Sequence, residues 1–353
     1  MLVGEQVGLD GGAFLHGWRQ RTKSGQSNFT NHRGAEVFRG ALNSTFTPAH
    51  QKAIMQKNAP DISVVIAARN ERAHIREALE SVLSQEGVRF ELIFVDDNST
   101  DDTYQLVDTL SKYRGSIDVR RNPSRGKCSA FNYGVSLSRG RFVCIFAGDD
   151  LMPPGSLRER FLAVEHEPDD VPVVGLSKLI TMSEDPKFDG HLVPRVRGRG
   201  ATSGVSPLMN RMAANFIFPT PEHLPNEDTW MELAVLHMPG WKIIHSDIIC
   251  CKWRVHSGNS INHTVDFDTY NQKISIRMEA LSFFMEKYGA ILEDSQKLLL
   301  QAKIEIEQAR KAGKWFRVLT TKAPLVDRLR ALSITNSTMY SIRRHLYGLL
   351  SGW

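Results

Sequence analysis

The residues of this 353-residue chain best suited to chemistry stand in two acidic clusters, each closing a short apolar run: Phe94-Val95-Asp96-Asp97 and Phe146-Ala147-Gly148-Asp149-Asp150. Side chains that emerge where a buried strand ends gather at the carboxyl edge of a parallel sheet, where open α/β folds bind their ligands. Carboxylates crowded there repel one another unless a divalent cation, a donor-rich ligand such as a base and ribose, or both sit between them. At the first cluster, Asp96 and Asp97 can accept hydrogen bonds from a pyrimidine imide or from ribose hydroxyls. Helix capping is the plainer reading of Asn98 to Asp102, but it leaves Asp96 and Asp97 over because they precede the cap. At the second, Asp149 and Asp150 suit Mg2+ or Mn2+, with a diphosphate and water completing the shell; by itself Gly-Asp-Asp is also a turn signal.

Three further segments carry candidate groups. Asn122-Pro123-Ser124-Arg125-Gly126-Lys127 is a basic turn ahead of a helix, fit either for a phosphate or for solvent. Asn226-Glu227-Asp228 opens a helix that continues through Thr229-Trp230. Asp228, with Glu227 next, is the candidate for the base that takes the proton from an attacking hydroxyl; the plainer reading is that both favour a helix amino end. Trp230 reads either as a surface for stacking an acceptor or as core. In Lys252-Trp253-Arg254-Val255-His256, Arg254 and His256 alternate to one side of an extended segment and could face a phosphate or the metal.

The elements that must hold these groups are visible in the periodicity. Ile62 to Ile66 reads as a buried strand, and Ile75, Ala78, Leu79, Val82 and Leu83 recur at helical spacing. Phe90 to Val95 is the next strand, followed by a helix capped by Ser99 or Asn98 and carrying Leu106, Val107, Leu110 and Tyr113. A strand over 117–120, a helix over 130–137 and a strand over 141–146 continue the alternation, and a helix follows Pro153-Pro154-Gly155. Strands interleaved with helices predict an α/β fold with a mainly parallel central sheet flanked by helices. Residues 183–206 read as a long loop, residues 228–237 as a helix and residues 241–249 as a strand. Beyond Val265 helices dominate, forming a helical C-terminal extension.

The net charge of +5 is unevenly spread: +4 over residues 1–57, +7 from 301 to the end, and −6 between. An acidic middle disfavours nucleic acid as a partner, since phosphate contacts need clustered cations. The amphipathic basic tail could lie on an anionic membrane surface or pack back on the domain. No run approaches the ~20 apolar residues of a membrane span, and Met1 to Gly17 carries Glu5 and Asp10 instead of a secretory signal pattern. Cys128, Cys144, Cys250 and Cys251 lack metal or disulfide spacing, so a cytoplasmic location, peripheral at the inner membrane face if the tail engages lipid, is the expectation.

In order along the chain, Ile62-Ser63-Val64-Val65-Ile66, Arg69-Asn70-Glu71, Val95 to Thr103, Gly126-Lys127 with Ala130, Asn132 and Gly134, Arg139-Gly140, Gly148-Asp149-Asp150, Glu227-Asp228 and Arg254 to Ser260 resemble family 2 glycosyltransferases. The resemblance covers roughly residues 60–262. It implies the A-type, Rossmann-like nucleotide-sugar fold, a Mg2+ or Mn2+ cofactor, and inverting transfer of a sugar from a nucleoside diphosphate sugar, UDP favoured, to a hydroxyl of a glycan or lipid-linked acceptor; the lack of a Gln-x-x-Arg-Trp segment and of an apolar run long enough to span a membrane argues for non-processive transfer. By position it implies nucleotide contacts at Ala67, Arg69, Asp96, Asp97, Lys127 and Asp149, a metal held by Asp149, Asp150 and His256, a base at Asp228, and diphosphate or acceptor contacts at Arg254 and Trp230. Ala67-Ala68 stand where the family often has Pro-Thr, and Ala147 where it often has an acidic residue. The expected organisation is an irregular basic arm over 1–57, the nucleotide-sugar domain over 58–264 and the helical extension over 265–353, as a monomer or homo-oligomer. Rival enzymes fit less well: a dehydrogenase wants Gly-x-Gly-x-x-Gly where Ala67-Ala68-Arg69-Asn70 stands. The rival of another class is a non-catalytic binding protein on the same fold.

Overall fold

The structure, a computed structural model, describes residues 59–114, 116–202, 204–255 and 265–350; the expected arm over 1–57 and His256 lie outside the described residues. β1 (Ile62–Ala68) is buried along its whole length, as a strand covered by helices on both faces must be. It is followed by α1 (Ile75–Leu83), β2 (Phe90–Asp96), α2 (Thr103–Arg114), β3 (Ile117–Arg121), α3 (Lys127–Leu137), β4 (Phe142–Ala147) and α4 (Ser156–Leu162). Then come β5 (Val173–Met182), β6 (Leu192–Val193), β7 (Leu208–Asn210), α5 (Arg211–Ile217), α6 (Asp228–His237) and β8 (Lys242–Arg254). The C-terminal part is helical: α7 (Phe267–Tyr288), α8 (Asp294–Lys311), α9 (Trp315–Thr320), α10 (Leu325–Leu332) and α11 (Ser337–Leu350).

The sheet order is β3-β2-β1-β4-β7-β5-β6, with β8 beside β5. β1, β2, β3 and β4 are mutually parallel, and β8 is parallel to β5; β7 runs antiparallel between β4 and β5. The register aligns Ala68 with Asp96 and Ala67 with Ala147, so β1, β2 and β4 end level with one another and deliver both acidic clusters to one edge.

Successive strand residues point to opposite faces, and each face feeds its own core. Val65, Val95 and Ile145 pack toward α3, α5, α6 and α7, whereas Ile66, Phe94 and Phe146 pack toward α1, α4 and β8. Ala280, Leu281, Phe284 and Leu300 belong to the first of these cores, so α7 and α8 are built into the sheet's own packing.

Three strands and a helix lie where the sequence pattern is silent. β5 holds a lysine, Lys178, that is 3% exposed; its ammonium donates to the carbonyls of Pro194 (2.6 Å) and Val196 (2.7 Å), which satisfies it inside the sheet. β6, β7 and α5 are too short to show a period. The helix after β2 is also capped differently from expectation. Asp101 Oδ1 accepts from the Thr103 amide, while Asn98, with φ at +57°, donates through Nδ2 to the Ser124 carbonyl. The four cysteines are free and buried.

Candidate functional site

The loops leaving β1 and β2 are stitched together before they meet any ligand. Asn70 N–H donates to Ser99 Oγ (3.0 Å), Thr100 N–H to Asn70 Oδ1 (2.8 Å), and Glu71 N–H to Thr103 Oγ1 (2.9 Å). These bonds absorb most of the polar run after Asp97, which is why it is dense in Asn, Ser, Thr and Asp. Asp96 and Asp97 are left facing inward at the strand end.

Asp97 is 5% exposed, and its Oδ1 accepts from Asn122 Nδ2 and from Gly126 N–H, both at 2.8 Å. Asp96 is fully buried; Oδ2 accepts from Ser99 N–H at 3.2 Å, and Oδ1 has no hydrogen-bond partner among the described residues. An unpartnered buried acceptor costs about 1–3 kcal/mol, so Asp96 is a place for a ligand donor. Ala67 is 8% exposed with its methyl group in the core beneath α3, and Arg69 is exposed on the loop beyond β1.

At the end of β4 the two aspartates divide. Asp150 is 2% exposed; its Oδ1 accepts from Arg254 N–H (2.8 Å), and the Cys251 thiol lies against it. Burial, then the Asp149 charge, raises its carboxyl above the usual range. Asp149 is half-buried, and its carbonyl accepts from Arg254 Nε at 2.7 Å. Gly148 is required between β4 and this pair, because a Cβ there would lie 2.7 Å from Ala68 Cβ. Arg254 also donates to Glu77 Oε2 at 2.8 Å, so its guanidinium ties the end of β8 to α1 as well as to the Asp149 backbone. Glu71, which the sequence reading gave no role, stands beside this pair. Burial, then Asp149 and Asp101, push its carboxyl up to about 7. The strand-end Asn-Glu that follows Arg69 was the only sequence signal for it.

Lys127, the first residue of α3, joins the two halves of the site. It follows Gly126, whose amide binds Asp97, and its Nζ lies 3.1 Å from Glu227 Oε1, just ahead of α6. Burial works against its charge, but Glu227 and Asp228 outweigh that and raise it above an ordinary lysine; the same ammonium is felt by Asp150. Glu227 is 1% exposed and shifted upward by burial, with Lys127 opposing, and its Oε2 has no hydrogen-bond partner among the described residues. Asp228 is 4% exposed; Oδ2 accepts from Asn226 Nδ2 (3.1 Å) and lies 3.7 Å from an Arg277 nitrogen. Arg277, on α7, also donates through Nε to Thr229 Oγ1 at 2.9 Å. It sits 49 positions beyond Asp228, and no local pattern could have linked the two.

Trp230 resolves to the core alternative. It is 1% exposed, donates through Nε1 to the Ile217 carbonyl (2.9 Å) and meets Phe284 edge-on at 5.3 Å, so neither ring face is offered to an acceptor. A tryptophan inside an apolar helix interface needs one acceptor for its N–H, and Ile217 supplies it.

Among the described residues, no three His, Cys, Asp or Glu side chains gather into a set that could hold a metal by themselves. The carboxylate donors at the end of β4 are oxygens, and burial, then the neighbouring Asp149, shift Asp150 up. Both properties suit a hard cation bound through one or two carboxylates, with phosphate and water filling the rest of its shell.

Residues 63–198 match the family model described as Glycosyl transferase family 2. The succinoglycan biosynthesis protein ExoO of Rhizobium meliloti (strain 1021) is 38% identical over 99 residues, covering 28% of this chain and 28% of that protein. The chain matches only about a quarter to a half of the length of its curated relatives. Among solved structures, S. aureus TarS 1–349 in complex with UDP-GlcNAc superposes with a TM-score of 0.52 at 21% identity, over 79% of this chain and 82% of that one. The mannosyltransferase PcManGT from Pyrobaculum calidifontis, in complex with GDP-Man and Mn2+, superposes with a TM-score of 0.50 at 18% identity, over 91% of this chain and 87% of that one. At such identities the two structures speak for the fold. Residues 63–198 are thus similar to glycosyl transferase family 2, and they lie on a mixed α/β fold that the chain shares with these two solved structures.

Proposed function

We propose that this protein transfers a sugar from a nucleoside diphosphate sugar, with UDP the favoured nucleotide, to a hydroxyl of a glycan or lipid-linked acceptor, with inversion and one sugar per encounter. The observation that carries the reading is the Lys127–Glu227 ion pair. It ties the Gly126–Lys127 turn, which Asp97 holds through the Gly126 amide, to the Glu227-Asp228 start of α6, and so supports a nucleoside end at Asp97 and an acceptor end at Asp228. The unpartnered acceptors Asp96 Oδ1, Asn226 Oδ1 and Glu227 Oε2 want hydrogen-bond donors, which imides and sugar hydroxyls supply in number.

Each residue then has a task. Asp96 takes the base imide or a ribose hydroxyl, and Asp97 fixes the Gly126–Lys127 turn through which the α3 amino end faces the phosphates. Asp149, with Asp150 behind it, would hold Mg2+ or Mn2+, whose charge would offset that of the diphosphate leaving group. Asp228 accepts the acceptor hydroxyl's proton as oxygen attacks the anomeric carbon; a single base opposite the leaving group yields inversion. Asn226 and Arg277 hold that carboxylate in place. The TarS complex with UDP-GlcNAc and the PcManGT complex with GDP-Man and Mn2+ support a sugar-nucleotide donor and a divalent ion. The ExoO name supports a role in polysaccharide synthesis. Among the described residues no helix is long and apolar enough to cross a membrane, and action at a membrane surface is the reading for a lipid-linked acceptor.

A thermal-shift panel of nucleoside diphosphates with and without Mn2+ tests the proposal, since a ligand at 100 times its dissociation constant stabilises by about 2.7 kcal/mol. UDP with Mn2+ should shift the transition, and Asp228→Asn should keep that shift and lose turnover by about 100-fold or more. Turnover retained in Asp228→Asn would remove Asp228 from its role, and no shift with any nucleotide would favour a non-catalytic protein on this fold.

A further inference from the structure

The helices α8, α9 and α10 distribute their side chains in an unusual way. Their shared core is built from Ala302, Ile306, Ala309, Val318, Ala323 and Ala331, mostly small residues. The large apolar residues are outside: Trp315 is 52% exposed, Phe316 67%, Leu325 52% and Leu329 51%. Burial by size runs the other way in an ordinary helical corner, and a clustered exposed apolar surface marks a docking site.

The exposed charge of this surface is basic; Asp327, the one acidic residue of α10, has a side chain only 10% exposed and lies 3.8 Å from Arg330. Every residue from Lys311 to Arg317 is exposed across the α8–α9 turn, which Gly313 makes at φ +67°. Trp315 and Phe316 stand edge to face, ring centroids 5.9 Å apart, between Lys314 and Arg317. Leu325 and Leu329 are four apart on α10 and share one helix face. Lys322 is exposed between them and the aromatic pair, and no Asp or Glu occurs from Gln308 to Val326.

We propose that the α8–α9 corner, Lys311 to Arg317 with the outward face of α10, docks this protein on an anionic lipid bilayer. Trp315 and Phe316 enter the interfacial layer, where amphipathic rings partition, and Lys311, Lys314, Arg317 and Lys322 meet lipid phosphates. A second copy of the chain is a poorer occupant, because a two-fold contact through this patch would set its cations against their own images. The inference deepens the membrane-surface reading above and names its surface.

The test is cosedimentation of the full chain with vesicles of phosphatidylcholine alone and of equal parts phosphatidylcholine and phosphatidylglycerol, without sugar donor. Binding is expected to the mixed vesicles only and to weaken with salt. Trp315→Ser with Phe316→Ser should reduce it about ten-fold or more, and Lys311→Gln, Lys314→Gln and Arg317→Gln together by a similar factor. Both variants should keep the wild-type melting temperature and the UDP-dependent shift, which separates loss of docking from loss of folding or of the donor site. Absence of wild-type binding to the mixed vesicles would overturn the proposal and leave the transferase reading standing. So would undiminished binding by the Trp315/Phe316 variant, or light scattering showing that those substitutions break a dimer while lipid binding persists.

Discussion

Lys127→Met removes the cation on which the site converges, and the structure sets both the size and the pH dependence of the result. Glu227 is 1% exposed and 3.1 Å from the ammonium, so the substitution leaves a buried carboxylate facing Asp228 without its counter-charge. Stripping one partner from a fully buried pair costs about 3–5 kcal/mol. The Lys127 side chain is 44% exposed, and solvent screening lowers the figure to about 2 kcal/mol. For a domain of this size that corresponds to a melting temperature lower by about 4–8 °C. The sign with pH follows from Glu227, whose folded-state carboxyl titrates above its usual value because burial outweighs Lys127. Between the unfolded and folded values the native state binds the extra proton, so stability falls as pH rises through that window. Removing Lys127 widens the window upward. The deficit of Lys127→Met should therefore grow as pH rises through that window and shrink as pH approaches 4.5, the ordinary glutamate value. Adding Glu227→Gln should recover much of the loss, since both partners of the pair are then gone. Scanning calorimetry from neutral to acid pH measures this, and a deficit independent of pH, or none, would refute the assignment of Lys127 as the counter-ion of Glu227.

Trp230→Ala should lower stability by about 3–5 kcal/mol, whereas Trp230→Phe should keep the UDP-dependent shift; a loss of acceptor turnover at unchanged melting temperature would instead restore a binding role. Arg277→Gln should lower kcat about ten-fold with the donor KM unchanged, because it loosens Asp228 without touching the nucleotide side; a donor-KM effect would place Arg277 elsewhere in the reaction. Gly140→Ala should destabilise by about 1–3 kcal/mol, since a Cβ there would lie 2.5 Å from Ser63 N and 2.6 Å from Ile62 C, both backbone atoms that cannot step aside. An unshifted melting curve would mean that the Arg139-Gly140 turn relaxes freely.

The parallel half of the fold was legible because β1, β2 and β4 are buried on both faces, and such strands must be nearly continuous apolar runs ending in polar groups. β5 hid itself because a lysine inside a strand reads as solvent-facing; the Pro194 and Val196 carbonyls and the Asp247 carboxylate, 3.4 Å away, all supplied from outside the strand, make Lys178 tenable there. The acidic clusters were legible as candidates because strand ends are a fixed location. Their division of labour was not, because it is set by tertiary partners: Arg254 and Cys251 close over Asp150 and leave Asp149 half-buried. Lys127 illustrates the same limit. In sequence it is one cation in a basic turn, equally fit for phosphate or water, and its pairing with Glu227 exists only once α3 and α6 face each other across the edge. Arg277 entered the site by packing alone, and Glu71 was marked in the sequence only by the Asn-Glu that follows Arg69.

The central claim is that acidic side chains from the ends of β1, β2 and β4 and the start of α6 form one donor site completed by a divalent ion. Isothermal titration of UDP into the protein, with Mn2+ and with chelator, in wild type and in Asp149→Asn, tests it most directly. Saturable binding with Mn2+ that weakens about ten-fold or more in chelator and in the variant is the predicted result. Binding of equal strength in all of these conditions, or no binding to the wild type with Mn2+ present, would contradict it.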